Sequence, residues 1–331
     1  MPELPEVETV RRGLKTLIIG RMIRSVSVLD SPKSFPNAQA DVNEFMIGAE
    51  VTAVRRRAKV LLIDLSTQYT LVIHLKMTGQ LVYIKKEGLA PPLESEVNPE
   101  SALHPLKLVR RTRTSSLTDE NRFGAGHPTD SLIGELPDRS TRVMIEFTDN
   151  SWLYFNDQRK FGWMKLLPSL EVPTISFMKT VGPEPLEADF TVEQFTKRFA
   201  RRARTNIKAA LLDQTVVAGV GNIYADESLW GAKISPMRKV ADIAPQEFAK
   251  LYEELRYVMN LAIEKGGSTD KNYVNAEGKR GSYMDFARVF RQEGLPCPRC
   301  GTTIEKTKWA GRGTHVCPRC QVLTQEGYIG K

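Results

Sequence analysis

The sequence is poor in cysteine and histidine, with four of each in 331 residues. No cysteine precedes Cys297, so disulfides are excluded from most of the chain. The chain also lacks any run of eighteen apolar residues, and no membrane-spanning helix is therefore predicted. The opening residues, MPELPEVETV, contain no basic segment followed by an apolar one. A secretory signal is therefore not expected, and the predicted compartment is the cytoplasm.

Positive charge is in excess, with 47 Lys and Arg against 39 Asp and Glu, a net charge of +8 and an isoelectric point near 9.2. This balance favours anionic partners, nucleic acid first, although solubility alone would explain the total equally well. The charge is clustered in KRFARRARTNIK, residues 197–208, and in RRRAK, residues 55–59. Exposed clusters of this kind suit a phosphate backbone. A helix with a solvated basic face is the alternative for each.

The four cysteines form two CPRC motifs separated by sixteen residues. Two disulfides or an iron–sulfur cluster are possible in principle, but a reducing cytosol opposes disulfides, and paired CxxC knuckles are typical of tetrahedral zinc. The predicted ligands of one structural zinc ion are Cys297, Cys300, Cys317 and Cys320. The stretch between the knuckles predicts a β-hairpin with its tip at 310–313, from which Arg312 projects.

Periodicity predicts an α+β fold in which an N-terminal helix precedes a β-sandwich. Apolar residues have helical spacing over 3–19. Strand patterns follow at 51–65, where the basic run interrupts the pattern, and at 70–84, 142–147, 152–155 and 162–167. Residues 86–140 lack periodicity and predict a surface insertion, partly disordered; the RFG triplet at 122–124 is assigned no strand. The predicted domains are 1–170, a linker at 171–190, a helical domain at 191–290 with a polar glycine-rich loop at 266–283, and a zinc finger at 291–331.

The N-terminus is a candidate for covalent chemistry. Removal of Met1 would leave Pro2 with a free secondary amine, whose reference pKa of about 8 makes it a better nucleophile than lysine at neutral pH. Attack on an aldehyde-level carbon would give a cationic iminium, and Glu3 and Glu6 lie within one turn and could move protons. The alternative is an ordinary helix start, where proline and acidic residues are common.

Several motifs together resemble the bacterial formamidopyrimidine-DNA glycosylase family. They are MPELPEVETVRRGL, RRAKVLLIDL, HLKMTGQL, QRKFG, VGPEPL, VVAGVGNIYADESLW, GGST-KNYVN and the four-cysteine finger. The resemblance covers nearly all of the chain outside 86–140, and it implies a helix–two-turn–helix element in the helical domain. It also implies a bifunctional enzyme that excises oxidised purines, such as 8-oxoguanine and formamidopyrimidines, from double-stranded DNA and then cuts the strand by β,δ-elimination.

The resemblance implies a role for each matching residue at the reaction centre. Pro2 attacks the sugar C1′, and Glu3 is the proton donor for base departure and ring opening. Lys59 is the proton donor of β-elimination. Arg312 serves δ-elimination and contacts phosphate, and Glu6 orients the sugar or supports the site.

Other matching residues are implied to bind DNA. Met77, Arg159 and Phe161 match a triad that fills the void left by the extruded base, with core packing as the alternative for Met77 and Phe161. Lys208 and Asn222 match residues that contact phosphate in the family, and Arg204 is a weaker candidate for such a contact. The loop at 266–283 resembles a cap over the extruded base.

Two departures from the family pattern are present. The insertion at 86–140 replaces a short loop, and RSTR at 139–142 replaces an element with a DNA-contacting histidine. Two alternative functions are an enzyme for oxidised pyrimidines similar to endonuclease VIII and a non-catalytic zinc-dependent DNA-binding protein. The former usually begins PEGPE and lacks the triad of Met77, Arg159 and Phe161. A monomer is expected to suffice for one lesion.

Overall fold

The computed structural model describes residues 2–29, 33–85, 122–126, 130–132, 134–268, 283–309 and 311–323. Predictions for 86–121, for the centre of the loop at 266–283 and for the C-terminal residues 324–331 lie outside the described residues. Within the described ranges, no helix combines the length and the apolar character that crossing a membrane requires.

The first helix, α1 (Leu4–Ile18), lies between the two main bodies of the protein. Its N-cap is Glu3, whose backbone N–H donates to the Glu6 carboxylate over 2.7 Å. This bond satisfies a donor left free at the helix start. The helix packs against strands and against the long helix α7 (Pro245–Glu264), and its large buried apolar residues lie on one face, whereas Arg12, Lys15 and Thr16 are exposed.

Two antiparallel sheets form the predicted sandwich, which confirms the α+β fold class. One sheet has the order β1-β7-β8-β5-β6 and the other the order β2-β3-β4-β9. Their strands are β1 (Ile23–Val28), β2 (Val51–Arg57), β3 (Val60–Leu65), β4 (Tyr69–His74), β5 (Gly79–Ile84), β6 (Arg122–Gly126), β7 (Thr141–Phe147), β8 (Trp152–Asp157) and β9 (Trp163–Pro168). A short helix, α2 (Gln39–Met46), follows β1. The core between the sheets also takes in the apolar face of α1.

Two strand predictions were wrong in detail. The single segment at 70–84 divides into β4 and β5, which belong to different sheets. The segment at 122–126 is an edge strand paired with β5, although we expected no strand there. Phe123 is buried, and its ring lies where a Cβ on Gly13 of α1 would be, 2.2 Å from the ring Cζ. The end of the presumed insertion is therefore part of the core.

The second body is helical and has its own apolar core. Its elements are α4 (Val192–Ala200), α5 (Ile207–Leu212), α6 (Asn222–Gly231) and α7, whereas the short helix α3 (Ser176–Thr180) packs through Phe177 and Met178 on the outer face of the second sheet. Leu4 of α1 is buried in this core, which joins the N-terminus to the helical body. The zinc-finger hairpin consists of β10 (Glu305–Trp309) and β11 (Arg312–Val316), in antiparallel register with Trp309 opposite Arg312.

Candidate active site and nucleic-acid interface

The N-terminal residues Pro2 and Glu3 are buried at the junction of the sandwich and the helical body. The backbone N–H of Leu4 donates to the Gly219 carbonyl over 3.0 Å, which attaches the helix start to the glycine loop before α6. Gly219 has φ +79°, a conformation that glycine adopts without strain. The AGVGN segment is thus a backbone support for the N-terminus.

Glu3 has a buried carboxyl group in which one oxygen is hydrogen-bonded and the other is not. Its Oε1 accepts the backbone N–H of Ile223 over 3.1 Å, whereas Oε2 has no hydrogen-bond partner. Burial raises the pKa of Glu3 to about 7, with Lys59 opposing the shift and Glu6 adding to it. A Cβ at Gly221 would lie 2.1 Å from the Glu3 Cδ, so only glycine leaves room for this side chain. Glu3 can therefore hold or release a proton near neutral pH.

Lys59 lies in the turn between β2 and β3 and is buried beside Glu3. Its Nζ donates to the Val220 carbonyl over 2.8 Å. Burial lowers the pKa of Lys59, while the carboxylates of Glu3 and Glu6 oppose that shift. Because its pKa is lowered, Lys59 loses its proton more readily than a surface lysine does, which suits proton transfer.

Glu6 connects the helix start to the glycine-rich loop. Besides the Glu3 N–H, it accepts the Tyr224 hydroxyl over 2.6 Å and the backbone N–H of Ser268 over 2.8 Å. Ser268 is the last residue described before the centre of the predicted capping loop. Since all these contacts are structural, the geometry favours a supporting role for Glu6. Tyr224 was not identified from the sequence.

The basic run at 55–59 does not form the exposed cluster that would suit a phosphate backbone, because Arg55 alone is exposed. The run lies on β2 and the turn that follows, so the alternative of a basic helix face is also wrong. Arg55 pairs with Asp64, while Arg56 and Arg57 both pair with Glu184, at 2.7 and 2.9 Å. Glu184 also accepts the backbone N–H of Ala58. This glutamate belongs to the VGPEPL motif and holds the turn that carries Lys59. Periodicity gave no indication of that role.

Lys208 is placed differently from the predicted phosphate contact. Its side chain is completely buried, 2.7 Å from Asp226 Oδ1, and Nζ also donates to the Gly313 carbonyl and the Thr314 hydroxyl. In this structure Lys208 therefore clamps β11 onto α5 and α6. Asn222 donates to the same Gly313 carbonyl over 2.9 Å. Arg312, the residue before Gly313, is exposed, as is Arg204.

Met77, Arg159 and Phe161 lie on two loops that cross between the sheets. Phe161 is 53% exposed, which excludes core packing for that residue, and Met77 is half-buried. The Arg159 guanidinium lies 4.9 Å from the centroid of the Phe161 ring, a cation–π distance. Of the two arginines at the departure near 139–142, Arg142 is buried and donates to the Asp157 carbonyl, whereas Arg139 is exposed.

The four cysteines fit a tetrahedral metal. Their sulfur atoms all lie within 4.8 Å of one another, with Cys297 and Cys320 at 3.9 Å and Cys300 and Cys317 at 3.5 Å. A zinc tetrahedron with Zn–S near 2.3 Å requires sulfur separations of about 3.8 Å. The set confirms the prediction of one structural zinc. Four protein ligands leave no position for water, so the ion would supply folding energy and no direct chemistry.

A buried acid and a buried lysine beside the chain's N-terminus, facing a zinc finger with an exposed arginine, define a zinc-containing enzyme that acts on nucleic acid. Three family models match: the formamidopyrimidine-DNA glycosylase N-terminal domain at residues 1–126, its H2TH domain at 181–273 and the zinc finger found in FPG and IleRS at 294–322. The chain belongs to the formamidopyrimidine-DNA glycosylase family.

Similar proteins extend over the whole length. Formamidopyrimidine-DNA glycosylase of Pediococcus pentosaceus is 39% identical over 98% of this chain and 100% of that protein. Lactococcus lactis Fpg in complex with DNA containing an abasic site is 29% identical with a TM-score of 0.76, covering 97% of this chain and 99% of the other. MutM (Fpg) of Thermus thermophilus is 34% identical with a TM-score of 0.73, covering 97% of this chain and 98% of the other.

Proposed function

We infer that this protein is a base-excision DNA repair enzyme, a bifunctional glycosylase and abasic-site lyase that removes oxidised purines. The observation that carries the inference is the burial of an acid, Glu3, and an amine, Lys59, within electrostatic reach of each other beside Pro2 at the start of α1. Solved relatives have been captured with DNA containing Fapy-dG or carbocyclic 8-oxo-G, which supports the purine preference.

The proposed first step is covalent and requires removal of Met1. The lone pair of the Pro2 nitrogen forms a bond to C1′ of the damaged nucleotide, and the glycosidic bond breaks with its electron pair going to the base. Glu3 in its protonated form gives its proton to the departing base, takes up the proton that the Pro2 nitrogen loses, and passes it to the oxygen of the sugar ring. The bond between that oxygen and C1′ breaks with its electron pair on oxygen, which leaves an iminium between Pro2 and C1′. A pKa near 7 keeps a substantial share of Glu3 protonated at neutral pH.

The second stage is strand cleavage by elimination. The cationic iminium acidifies the neighbouring C2′ hydrogens, and one of them is lost as a proton to solvent. Its electron pair forms the C2′–C3′ double bond, and the 3′ phosphate leaves with the electron pair of the C3′–O bond. We propose Lys59 as the proton donor of this β-elimination. Arg312, exposed on the finger, would contact the phosphate and assist δ-elimination, and Glu6 would keep the helix start in place. The product would be a one-nucleotide gap flanked by phosphates.

Met77, Arg159 and Phe161 would occupy the space left by the extruded base. The exposure of Phe161 and its stacking on Arg159 support this proposal, because an apolar wedge with a hydrogen-bonding arginine suits an unstacked step. Asn222 and Arg204 remain proposed phosphate contacts, and Arg139 is available to replace the family's histidine. One chain supplies every proposed group, which supports a monomer, and its DNA substrate would place it at the nucleoid in the cytoplasm.

The purine preference is testable with matched duplexes. We expect single-turnover excision of 8-oxoguanine opposite cytosine to be at least about tenfold faster than excision of thymine glycol, a difference of about 1.4 kcal/mol. Gel-resolved strand cleavage after heating in alkali measures both rates. A faster rate on thymine glycol would assign the protein to the pyrimidine-specific relatives, and binding without excision of either base would identify a non-catalytic DNA-binding protein.

Lys208 and Arg204 are expected to respond differently to substitution. Lys208→Met should accelerate zinc release to a chromogenic chelator, because it frees β11 and leaves Asp226 buried without its cation. Arg204→Gln should leave zinc release unchanged and reduce the salt dependence of DNA binding by about one unit of log–log slope. If the Lys208 variant lowers the salt slope and retains zinc normally, Lys208 is a phosphate contact after all.

A further inference from the structure

Two loops carry Met77, Arg159 and Phe161, and the pairing of the strands that flank them places these loops next to each other. One loop leads from β4 to β5 and the other from β8 to β9, so each crosses from one sheet of the sandwich to the other. At one end His74 is opposite Trp163, and at the other Gly79 is opposite Asp157. The two crossings therefore run side by side between paired strands.

A single carboxylate joins these crossings. Asp157 is 0% exposed. Its Oδ1 accepts the Thr78 hydroxyl of the first loop and, over 3.1 Å, the backbone N–H of Arg159 in the second. Its Oδ2 accepts the backbone N–H of Gly162, and the Arg159 N–H also reaches the Thr78 hydroxyl over 3.1 Å. Thr78 follows Met77 directly, while Arg159 and Gly162 enclose the segment containing Phe161.

The conformation of both loops shows why such a connection is needed. Each contains a lysine in the left-handed region, Lys76 with φ 51° and Lys160 with φ 57°. Non-glycine residues adopt this region at a cost and retain it where neighbouring contacts enforce it. Space is also restricted, since a Cβ on Gly162 would lie 2.8 Å from Phe155 and 3.0 Å from Asp157 Oδ2. The exposed side chains are thus held by a buried and tightly packed base.

We propose that Asp157 is a positioning residue that assembles the two crossing loops into one rigid wedge, and that this assembly is required for extruding a damaged base. The proposal rests on the proposed function, in which Met77, Arg159 and Phe161 enter the DNA. An abasic site has no base to extrude, so its cleavage depends less on the wedge. The predicted signature is a selective loss of base excision.

Asp157→Asn tests this with minimal change in volume. If the amide oxygen replaces Oδ1, the new NH₂ faces the Gly162 N–H; if the amide flips, the NH₂ faces the Arg159 N–H. Either orientation sets a donor against a donor and removes one of the two hydrogen bonds that hold the second loop to residue 157. Thr78→Val removes the same connection from the other loop, and Thr78→Ser keeps the hydroxyl. Asp149→Asn is a matched control, because Asp149 accepts a backbone N–H at the turn between β7 and β8.

The assay compares single-turnover rates on 8-oxoguanine duplexes with rates on duplexes containing a preformed abasic site. Asp157→Asn and Thr78→Val should lower base excision by about 10- to 100-fold and abasic cleavage by less than about threefold, while Thr78→Ser and Asp149→Asn retain both. An equal loss on both substrates, or no loss on either, would overturn the proposal. Wild-type excision in the same assay tests the proposed function separately. If the wild-type protein excises no base, both the proposed function and the role of Asp157 are refuted. If only the variants fail to distinguish the two substrates, the role of Asp157 alone is refuted.

Discussion

Glu3→Gln is expected to lower base excision by about 10²- to 10⁴-fold, the usual contribution of a positioned proton donor. The amide keeps the size of the side chain and can still accept the Ile223 N–H, but it cannot donate a proton to the departing base. Single-turnover excision of 8-oxoguanine measures the loss. If Glu3→Gln excised at the wild-type rate, the proton would come from another group.

The same substitution is expected to stabilise the protein at pH 8. Glu3 has an ordinary pKa of 4.5 and a folded pKa of about 7, so the folded state retains a proton that the unfolded state has released. Stability is therefore lost as the pH rises from about 4.5 to 7, and the full cost, about 3 kcal/mol, applies above that window. Glutamine does not ionise and avoids this cost. Urea unfolding of both proteins at pH 5 and 8 should show the gain mainly at pH 8.

Glu8→Gln is a matched control on the same helix with the opposite sign. Although burial would raise its pKa, the ion pairs of Glu8 with Arg11 and Arg12 lower that pKa to about 2. Its carboxylate therefore stabilises the fold above the unfolded pKa of 4.5, and this contribution is lost as the pH falls toward 2. Glu8→Gln should destabilise the protein at pH 8. If the two variants changed the free energy of unfolding at pH 8 by the same amount and in the same direction, burial of the Glu3 carboxylate would not destabilise the protein.

Removal of zinc is expected to abolish DNA binding and strand cleavage together. Among its described residues, the finger shares a single small apolar cluster, made of Val289, Cys297, Ile304 and Cys317 with Trp230 of α6, which cannot hold the hairpin without metal. Loss of the hairpin removes Arg312 and opens the Lys208 clamp. We expect affinity for an abasic duplex to fall at least about 100-fold, as measured by fluorescence anisotropy after chelation.

The two larger cores provide the control for this experiment. Because the sandwich and the helical body have separate apolar clusters, most of the circular dichroism signal should persist in the metal-free protein. Readdition of zinc should restore binding. Cleavage by protein shown by atomic absorption to contain no zinc would separate the finger from catalysis.

The sequence was most informative where chemistry requires adjacent residues or fixed spacing. The paired CPRC motifs predicted four sulfur atoms that do lie together, and the alternation of apolar residues predicted the sandwich. The start of α1 was also predictable, since a proline-rich, acidic segment precedes an apolar face. The family resemblance supplied roles for Pro2, Glu3 and Lys59 that local patterns alone left open.

The sequence was least informative where distant residues determine a side chain's environment. Lys208 lies in a basic run, yet a carboxylate on α6 and the finger hairpin bury it. Arg56 and Arg57 appear equally basic, but Glu184, more than a hundred residues away, neutralises them. The β6 strand was missed because five residues with two glycines carry little strand signal, and its pairing with β5 supplies the rest.

The covalent role of Pro2 is tested most directly by borohydride trapping. Protein with zinc bound and Met1 removed is incubated with an 8-oxoguanine:cytosine duplex and sodium borohydride, and the cross-linked peptide is identified by mass spectrometry. We expect a stable adduct in which the Pro2 nitrogen carries the reduced sugar, and a severe loss of adduct in Pro2→Gly. No adduct from the processed, zinc-loaded protein, or an adduct on another amine such as Lys59, would contradict it.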